Sequence, residues 1–403
     1  MSHRVHLTLV ATVASAAMVL AACASAPAAN SSSSSSSTPS SSSSSSSPSS
    51  ESSSSSGPST SSGSSSSSSS APETGPITPV GKFLPCVVSD TAGFNDHSFN
   101  EQSFNAVKTI AGRAGVSYKS AQSKTAADYV PNVNQLVAAG CTDVVASGFN
   151  LVAAVKAAAT ANPKVNFIMV DDNSIKLPNV KDVVFATNQG AFLGGYAAAA
   201  YSKTGVVATW GGQEIPPVTI YMDGFWDGVQ YYNQKNGKNV KVLGWNEQTQ
   251  KGTFVGNFTD QNAAKTITTN FLNQKADVIM PVAGSLYEGG GAAIRSTKAD
   301  AVLMGVDADL FLTDTNGYQN LILVSVLKNI DTAVQTALSQ AATSATFDNT
   351  QYIATLKNGG VGLSPFHDFA SKVPASLSGD ITTIAAGIED GSIPAPSPSE
   401  PKA

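Results

Sequence analysis

Short apolar runs that stop at a small or acidic residue, each followed by a stretch with helical spacing, recur along most of this chain. The first is Phe83 to Val88, interrupted by Pro85 and ending at Ser89-Asp90. A helix-type segment follows at Ser98 to Val107, with small polar residues first and Glu101 in the first turn. The rhythm continues with strands at Asp143 to Ser147, Asn166 to Asp172 and Val180 to Ala186. Helices at Val130 to Ala139, Leu151 to Ala161 and Gly190 to Tyr201 separate or follow them. A second series has strands at Val206 to Trp210, Val240 to Leu243, Asp277 to Val282, Ala301 to Asp307 and Ile322 to Val326. Its helices are Thr219 to Asn233, Gln261 to Gln274 and Asp331 to Ala342. Strand–helix alternation of this kind predicts α/β architecture, with parallel sheets flanked by helices. Two series predict two lobes; one large sheet with a single reversal of strand order is the competing layout.

In open parallel sheets, ligands bind beyond the carboxyl ends of the strands. The residues found there define a candidate site. After the first strand stand Asp90, Asn95, Asp96, Ser98, Phe99 and Asn100; after the second, Gly148 and Phe149; after the third, Asp171 and Asp172. The second series offers Phe225 on a helix, Gly284 and Asp307 at strand ends, and Lys328 near a crossover. Aromatic faces stack on a planar ring, worth about 1–3 kcal/mol per base. Carboxylates accept hydrogen bonds from vicinal hydroxyls or ring N–H groups. The set suits a neutral, planar, hydroxyl-rich ligand better than an anion, for which Arg would be expected.

Composition sets the remaining bounds. The 403 residues are 13% charged with a net charge of −5, which leaves no basic footprint for nucleic acid. Residues 31 to about 72 are almost entirely Ser with scattered Pro and Gly, and cannot bury a core. About 320 residues are left for two lobes. Met1 to Ala22 reads as an export signal, with Arg4 before an apolar segment at Leu7 to Leu20. Leu20-Ala21-Ala22-Cys23 resembles a bacterial lipobox, in which Cys23 is lipidated; cleavage at a later Ala-Ser-Ala is the alternative. The Ser-rich residues after Cys23 then form a disordered tether (23–72), about 50 residues long with a root-mean-square reach of roughly 40 Å.

Of the three Cys, Cys86 and Cys141 lie by neighbouring predicted strands. In an oxidising compartment they would form a disulfide; two buried thiols are the alternative. His97 and His367 are far apart, without metal-ligand spacing, and no metal or cofactor is expected. His367-Asp368 reads as a structural turn. The chain has no Gly-x-Ser-x-Gly elbow, P-loop or dinucleotide fingerprint, and Gly289-Gly290-Gly291 has no following Lys-Ser/Thr. An enzyme is therefore not expected.

Ser89-Asp90-x-x-Gly93-Phe94-Asn95-Asp96-x-Ser98-Phe99-Asn100 resembles the opening motif of the basic membrane lipoprotein family. These are nucleoside-binding substrate-binding proteins of ABC importers. The likeness recurs at Asp223-Gly224-Phe225-x-x-Gly228, at Pro281 to Gly284 and at Gly305-Val306-Asp307-x-Asp309. It continues at Ser325 to Asp331 and at Asn358 to Asp368, and spans about Phe83 to Ile393. Leu310 departs from the family pattern, where Gln is usual, and Ser285 to Glu288 replaces a Gly-Thr-Gly type turn.

The resemblance implies a two-lobed type I periplasmic-binding fold. Lobe 1 would comprise 81–188 and about 320–350; lobe 2 would comprise 189–319 and about 351–393, with 394–403 a disordered tail. Hinge crossovers are expected near 187–190, 318–325 and 345–355. It also implies that Phe99 and Phe225 sandwich a purine. Asp90, Asn95, Asp96 and Asn100 would hold the base edge, while Asp307 and Lys328 would bind ribose. The implied partners are a nucleoside, a permease and an ATPase, with a monomer lipid-anchored on the extracytoplasmic face of the cell membrane. A sugar or autoinducer binder, a nucleoside-hydrolysing enzyme and a surface antigen are the rival readings.

Overall fold

The structure, a computed structural model, describes residues 75–402. The expected signal peptide, the lipidation site Cys23 and the Ser-rich tether lie outside the described residues. The strands are β1 (Pro85–Val88), β2 (Lys119–Ala121), β3 (Asp143–Ser147), β4 (Asn166–Val170), β5 (Val180–Phe185), β6 (Val206–Gly211) and β7 (Lys241–Leu243). They continue with β8 (Trp245–Asn246), β9 (Lys251–Gly252), β10 (Val278–Val282), β11 (Val302–Asp307), β12 (Ile322–Lys328), β13 (Tyr352–Ala354) and β14 (Val361–Leu363). The helices are α1 (Phe99–Ala114), α2 (Tyr129–Ala138), α3 (Val152–Ala161), α4 (Thr187–Tyr201) and α5 (Pro216–Asn236). After them come α6 (Gln261–Asn273), α7 (Tyr287–Thr297), α8 (Leu310–Thr313), α9 (Ile330–Thr343) and α10 (Leu377–Glu389).

Two six-stranded sheets form the two lobes, in the orders β13-β5-β4-β3-β1-β2 and β14-β12-β11-β10-β6-β7. Every pairing within them is parallel except β12 with β14. Strand side chains alternate between two buried faces. In the first lobe Val87, Val145 and Ile168 pack on one side, with α1 and α9. Cys86, Val88, Val144 and Phe167 pack on the other, with α2 and α3. Burial on both faces explains why these strands read as continuous apolar runs. Cys86 and Cys141 are bonded as a disulfide within the second of these layers, their Cα atoms 6.0 Å apart.

The chain crosses between lobes three times: at Ala186, at Asn329 and between β13 and β14. The expected lobe limits need correcting at two of these points. β12, assigned above to lobe 1, pairs with β11 in the second sheet, and only α9 returns to lobe 1. β13, assigned above to lobe 2, pairs with β5 in the first sheet. An apolar run such as Ile322 to Leu327 carries no mark of which sheet it joins, and β13 is too short to show a period.

The tail is the third correction. Residues 394–402 are not a disordered end but an ordered segment, with a turn at Pro398-Ser399, hydrogen-bonded to the body of the protein. Asn188 Nδ2 donates to the Ala395 carbonyl and Ser397 Oγ donates to Asp223 Oδ2. Pro394, Pro396, Pro398 and Pro401 restrict the chain before it docks, which lowers the entropy lost on ordering.

The Asp223-Gly224-Phe225-x-x-Gly228 stretch has a packing role in the α4–α5 contact. A Cβ on Gly224 would lie 2.2 Å from the Asn188 carbonyl oxygen, and one on Gly228 2.0 Å from that of Phe192. The glycines let two helices touch backbone to backbone.

Candidate functional site

The strands of the two sheets point their carboxyl ends at one cleft. It encloses about 570 Å³ of space, part of it open to solvent. From lobe 1 the lining includes Asp90, Ala92, Asp96, Phe99, Asn100, Gly148, Phe149, Asn150 and Asp171; from lobe 2, Ile215, Pro217, Val218, Tyr221, Phe258, Val282, Ala283, Gly284, Val306, Asp307 and Lys328.

The loop after β1 is built around three side chains. Asp96 caps α1: its Oδ1 accepts from the Ser98 and Glu101 amides, and its Oδ2 from the Asn100 amide at 2.8 Å. Asn100 Nδ2 donates to Asp96 Oδ2 and to Asp90 Oδ1, at 3.0 and 2.9 Å. The Asp90 amide returns a bond to Asn100 Oδ1, and Asp90 Oδ1 also accepts from the Ala92 amide. Burial pushes the Asp96 carboxyl up to about 6 despite the bonds from Asn100, Glu101 and Ser98, which oppose the shift. Burial also raises Asp90. Asp96 is thus committed to the helix end, while Asp90 Oδ2 faces the space beside Phe99. Gly148, at φ 111°, makes room there: a Cβ would meet the Phe99 ring at 3.2 Å and Asp90 Oδ2 at 3.7 Å.

Beside the Phe99 ring the cleft is ionic. Lys328 is fully buried, and its Nζ pairs with Asp171 Oδ2. The ammonium also lies 5.0 Å from the ring centres of Phe99 and Phe185 and 5.9 Å from that of Tyr221. Burial pushes Asp171 up to about 6, against the pull of Lys328. Asp307 accepts from the Tyr221 hydroxyl at 2.9 Å and from Ser98 Oγ at 2.8 Å. Burial and the Asp307 charge raise Tyr221 well above its ordinary value, so the hydroxyl stays a donor. Asp171 and Asp307 have φ of 67° and 65°, a left-handed conformation uncommon for non-glycine residues. Such strain concentrates at ligand sites.

The lobes also touch directly across the cleft. Ser98 to Asp307 is one link; Asn150 Nδ2 donates to Gln213 Oε1, and Thr313 Oγ1 donates to the His97 carbonyl. These are the contacts of a closed clamshell.

The cleft brings together Asp90, Asp96, Phe99, Asn100, Gly148, Phe149, Asp171, Gly284, Asp307 and Lys328. Four other expected site residues, Asn95, Ser98, Phe225 and Asp172, stand elsewhere. Asn95 is solvent-exposed. Ser98 lies behind the cleft wall, bonded to Asp307. Phe225 is completely buried in the lobe 2 core. Its place facing the cleft is taken by Tyr221, one turn nearer the start of α5. Residues i and i+4 share a helix face, so the pattern marks the correct face but not the depth along it. The signal for Tyr221 was its position as the first aromatic after Pro216-Pro217. Phe258 and the aliphatic wall from Ile215 to Val218 carried no distinctive spacing. Asp172 binds the amide and hydroxyl of Ser174, as a turn cap. His367 stacks on Phe311 and bonds Asp309, away from the cleft.

Residues 83–381 match the family described as ABC transporter substrate-binding protein PnrA-like, or Bmp. The ABC transporter nucleoside-binding protein BmpA of Lactococcus lactis is 29% identical over 326 residues, 77% of this chain and 88% of that protein. Basic membrane protein A of Borreliella burgdorferi is 29% identical over 277 residues, 67% of this chain and 76% of that protein. Among solved structures, an ABC transporter solute-binding protein from Aeropyrum pernix is 25% identical with a TM-score of 0.63, over 78% of this chain and 87% of that one. Together with the two lobes and the cleft between them, these likenesses identify the chain: it belongs to the Bmp family of PnrA-like ABC transporter substrate-binding proteins.

Proposed function

We propose that this substrate-binding protein binds a nucleoside with a purine base and delivers it to an ABC permease and its ATPase. In this reading it works as a monomer tethered to the extracytoplasmic face of the cell membrane through a lipid on Cys23. The observation that carries the ligand reading is a cleft that sets an aromatic face beside a cluster of charged groups. The Phe99 ring lies near Asp90 Oδ2, in a cleft also lined by Phe258 and aliphatic side chains. Lys328 Nζ is 5.0 Å from that ring, and Asp171 and Asp307 line the same cleft. In this reading a purine stacks on Phe99 and donates ring or amino N–H to Asp90, while Asn100 holds that carboxylate in place. Ribose hydroxyls accept from Lys328 and donate to Asp171 and Asp307. The name of the Lactococcus relative supports the same ligand class.

The test is a thermal-shift screen followed by calorimetry, using nucleosides, free bases and pentoses. Binding to the folded state raises the midpoint by mass action. A rise with inosine, guanosine or adenosine is expected; a response to pentoses alone would overturn the nucleoside reading in favour of a sugar binder. Labelled palmitate should enter the wild-type protein in a lipoprotein-processing bacterial host, and the Cys23→Ser variant should take up none.

A further inference from the structure

We propose that residues 394–402 form a latch that holds the two lobes closed. The segment follows α10 and lies beyond the family match, which ends at residue 381. Three of its contacts are with lobe 2. Asn188 at the start of α4 donates to the Ala395 carbonyl at 2.5 Å, Ser397 Oγ donates to Asp223 Oδ2 at 2.6 Å, and Ser399 Oγ lies 3.0 Å from Thr219 Oγ1. Its tip leaves that lobe. Gln351 Nε2 donates to the Lys402 carbonyl at 2.8 Å, and Gln351 is itself held by Asn173 Nδ2 at 3.1 Å. Gln351 immediately precedes β13, and Asn173 follows β4, so both belong to lobe 1.

The tip also walls a second chamber of about 750 Å³, part of it open to solvent. Phe149, Asp171 and Phe185 line it from lobe 1, Pro217 and Ile220 from lobe 2, and Ser399 to Lys402 from the tail. Phe149, Asp171 and Pro217 line the ligand cleft as well. When the lobes part about their crossovers, the three anchors travel with lobe 2, whereas the Gln351 bond and the chamber wall separate. The tail therefore makes contacts in the closed state that the open state lacks, and a difference of that kind shifts the equilibrium between the two. Four prolines restrict the backbone of the tail, so less order is lost when the tip engages.

The latch does not depend on the identity of the ligand, and its test separates the two questions. The full chain carrying Cys23→Ser is spin-labelled at Lys156→Cys and Lys238→Cys, exposed positions in lobes 1 and 2, and inter-lobe distances are measured by pulsed electron resonance without ligand. Two changes are then compared: a stop after Ser399, and Gln351→Ala in the untruncated chain. Each should lower the ratio of closed to open protein by about threefold, as expected for loss of one partly exposed hydrogen bond. Unchanged distances in both variants overturn the latch. If inosine binds, its dissociation rate should rise by a similar factor. If distances lengthen but no nucleoside binds, the latch stands and the nucleoside reading falls.

Discussion

At the scale of single residues, the site turns on which aromatic faces the ligand and which only fills the core. Phe99 is half-buried at the cleft, whereas Phe225 is wholly enclosed. Phe99→Ala should weaken nucleoside binding by roughly 1–3 kcal/mol with little change in unfolding midpoint. Phe225→Ala should instead cost about 3–5 kcal/mol of stability, measured by denaturant unfolding. Asp90 and Asp307 were legible in the sequence because strand ends are fixed by apolar runs, and polar residues there have one direction to face; Lys328 was marked only by the family resemblance. Phe225 was misplaced because helical spacing gives the face and not the depth. A second prediction concerns Asp227 on α5, one turn after Asp223. Burial, then the charges of Glu247 and Asp223, push its carboxyl up to about 7, and its Oδ2 is buried without a partner. A folded-state value raised above the ordinary 3.8 means that folding favours the protonated form. That contribution is fully present below about 3.8 and is lost as pH rises through about 7. Asp227→Asn should therefore raise the urea midpoint at pH 8 and flatten the change in stability between pH 5 and pH 8.

At the scale of elements, the α4–α5 contact explains a motif that resembled a ligand site. Gly228→Ala would drive a methyl group into the Phe192 carbonyl, 2.0 Å away in the present arrangement. Separating the helices enough to admit it should cost about 1–3 kcal/mol or more. The change should appear in the unfolding midpoint, with affinity per folded molecule nearly unaltered. Long strands and helices were readable because each carries a full period of its pattern. β2, β13 and β14 have three residues each and show none. The α7 helix was hidden by Gly289-Gly290-Gly291, a sequence with poor intrinsic helix propensity that tertiary packing overrides. The tail was misread for a related reason. Alternating Pro and Ser resembles a linker by composition, and only the distant partners Asn188, Asp223, Thr219 and Gln351 give it a place.

At the scale of the whole molecule, neither lobe is a continuous piece of chain. The first sheet needs β13 and its covering layer needs α9, while the second needs β14. A chain ended after Lys328 should lack cooperative unfolding by circular dichroism, although it contains ten of the twelve strands of the two main sheets. The alternation of elements predicted two lobes, but the crossovers were misjudged by up to about ten residues because β12 and β13 could each join either sheet. Those crossovers also bear on biogenesis. During synthesis from the N-terminus, the first sheet cannot be completed until β13, ending at Ala354, has been made, nor the second until β14, ending at Leu363. The nascent protein thus remains without either finished core for most of its translation. Polypeptides are threaded through a secretory pore while still unfolded, and a topology that postpones completion to the end keeps the chain in that competent form.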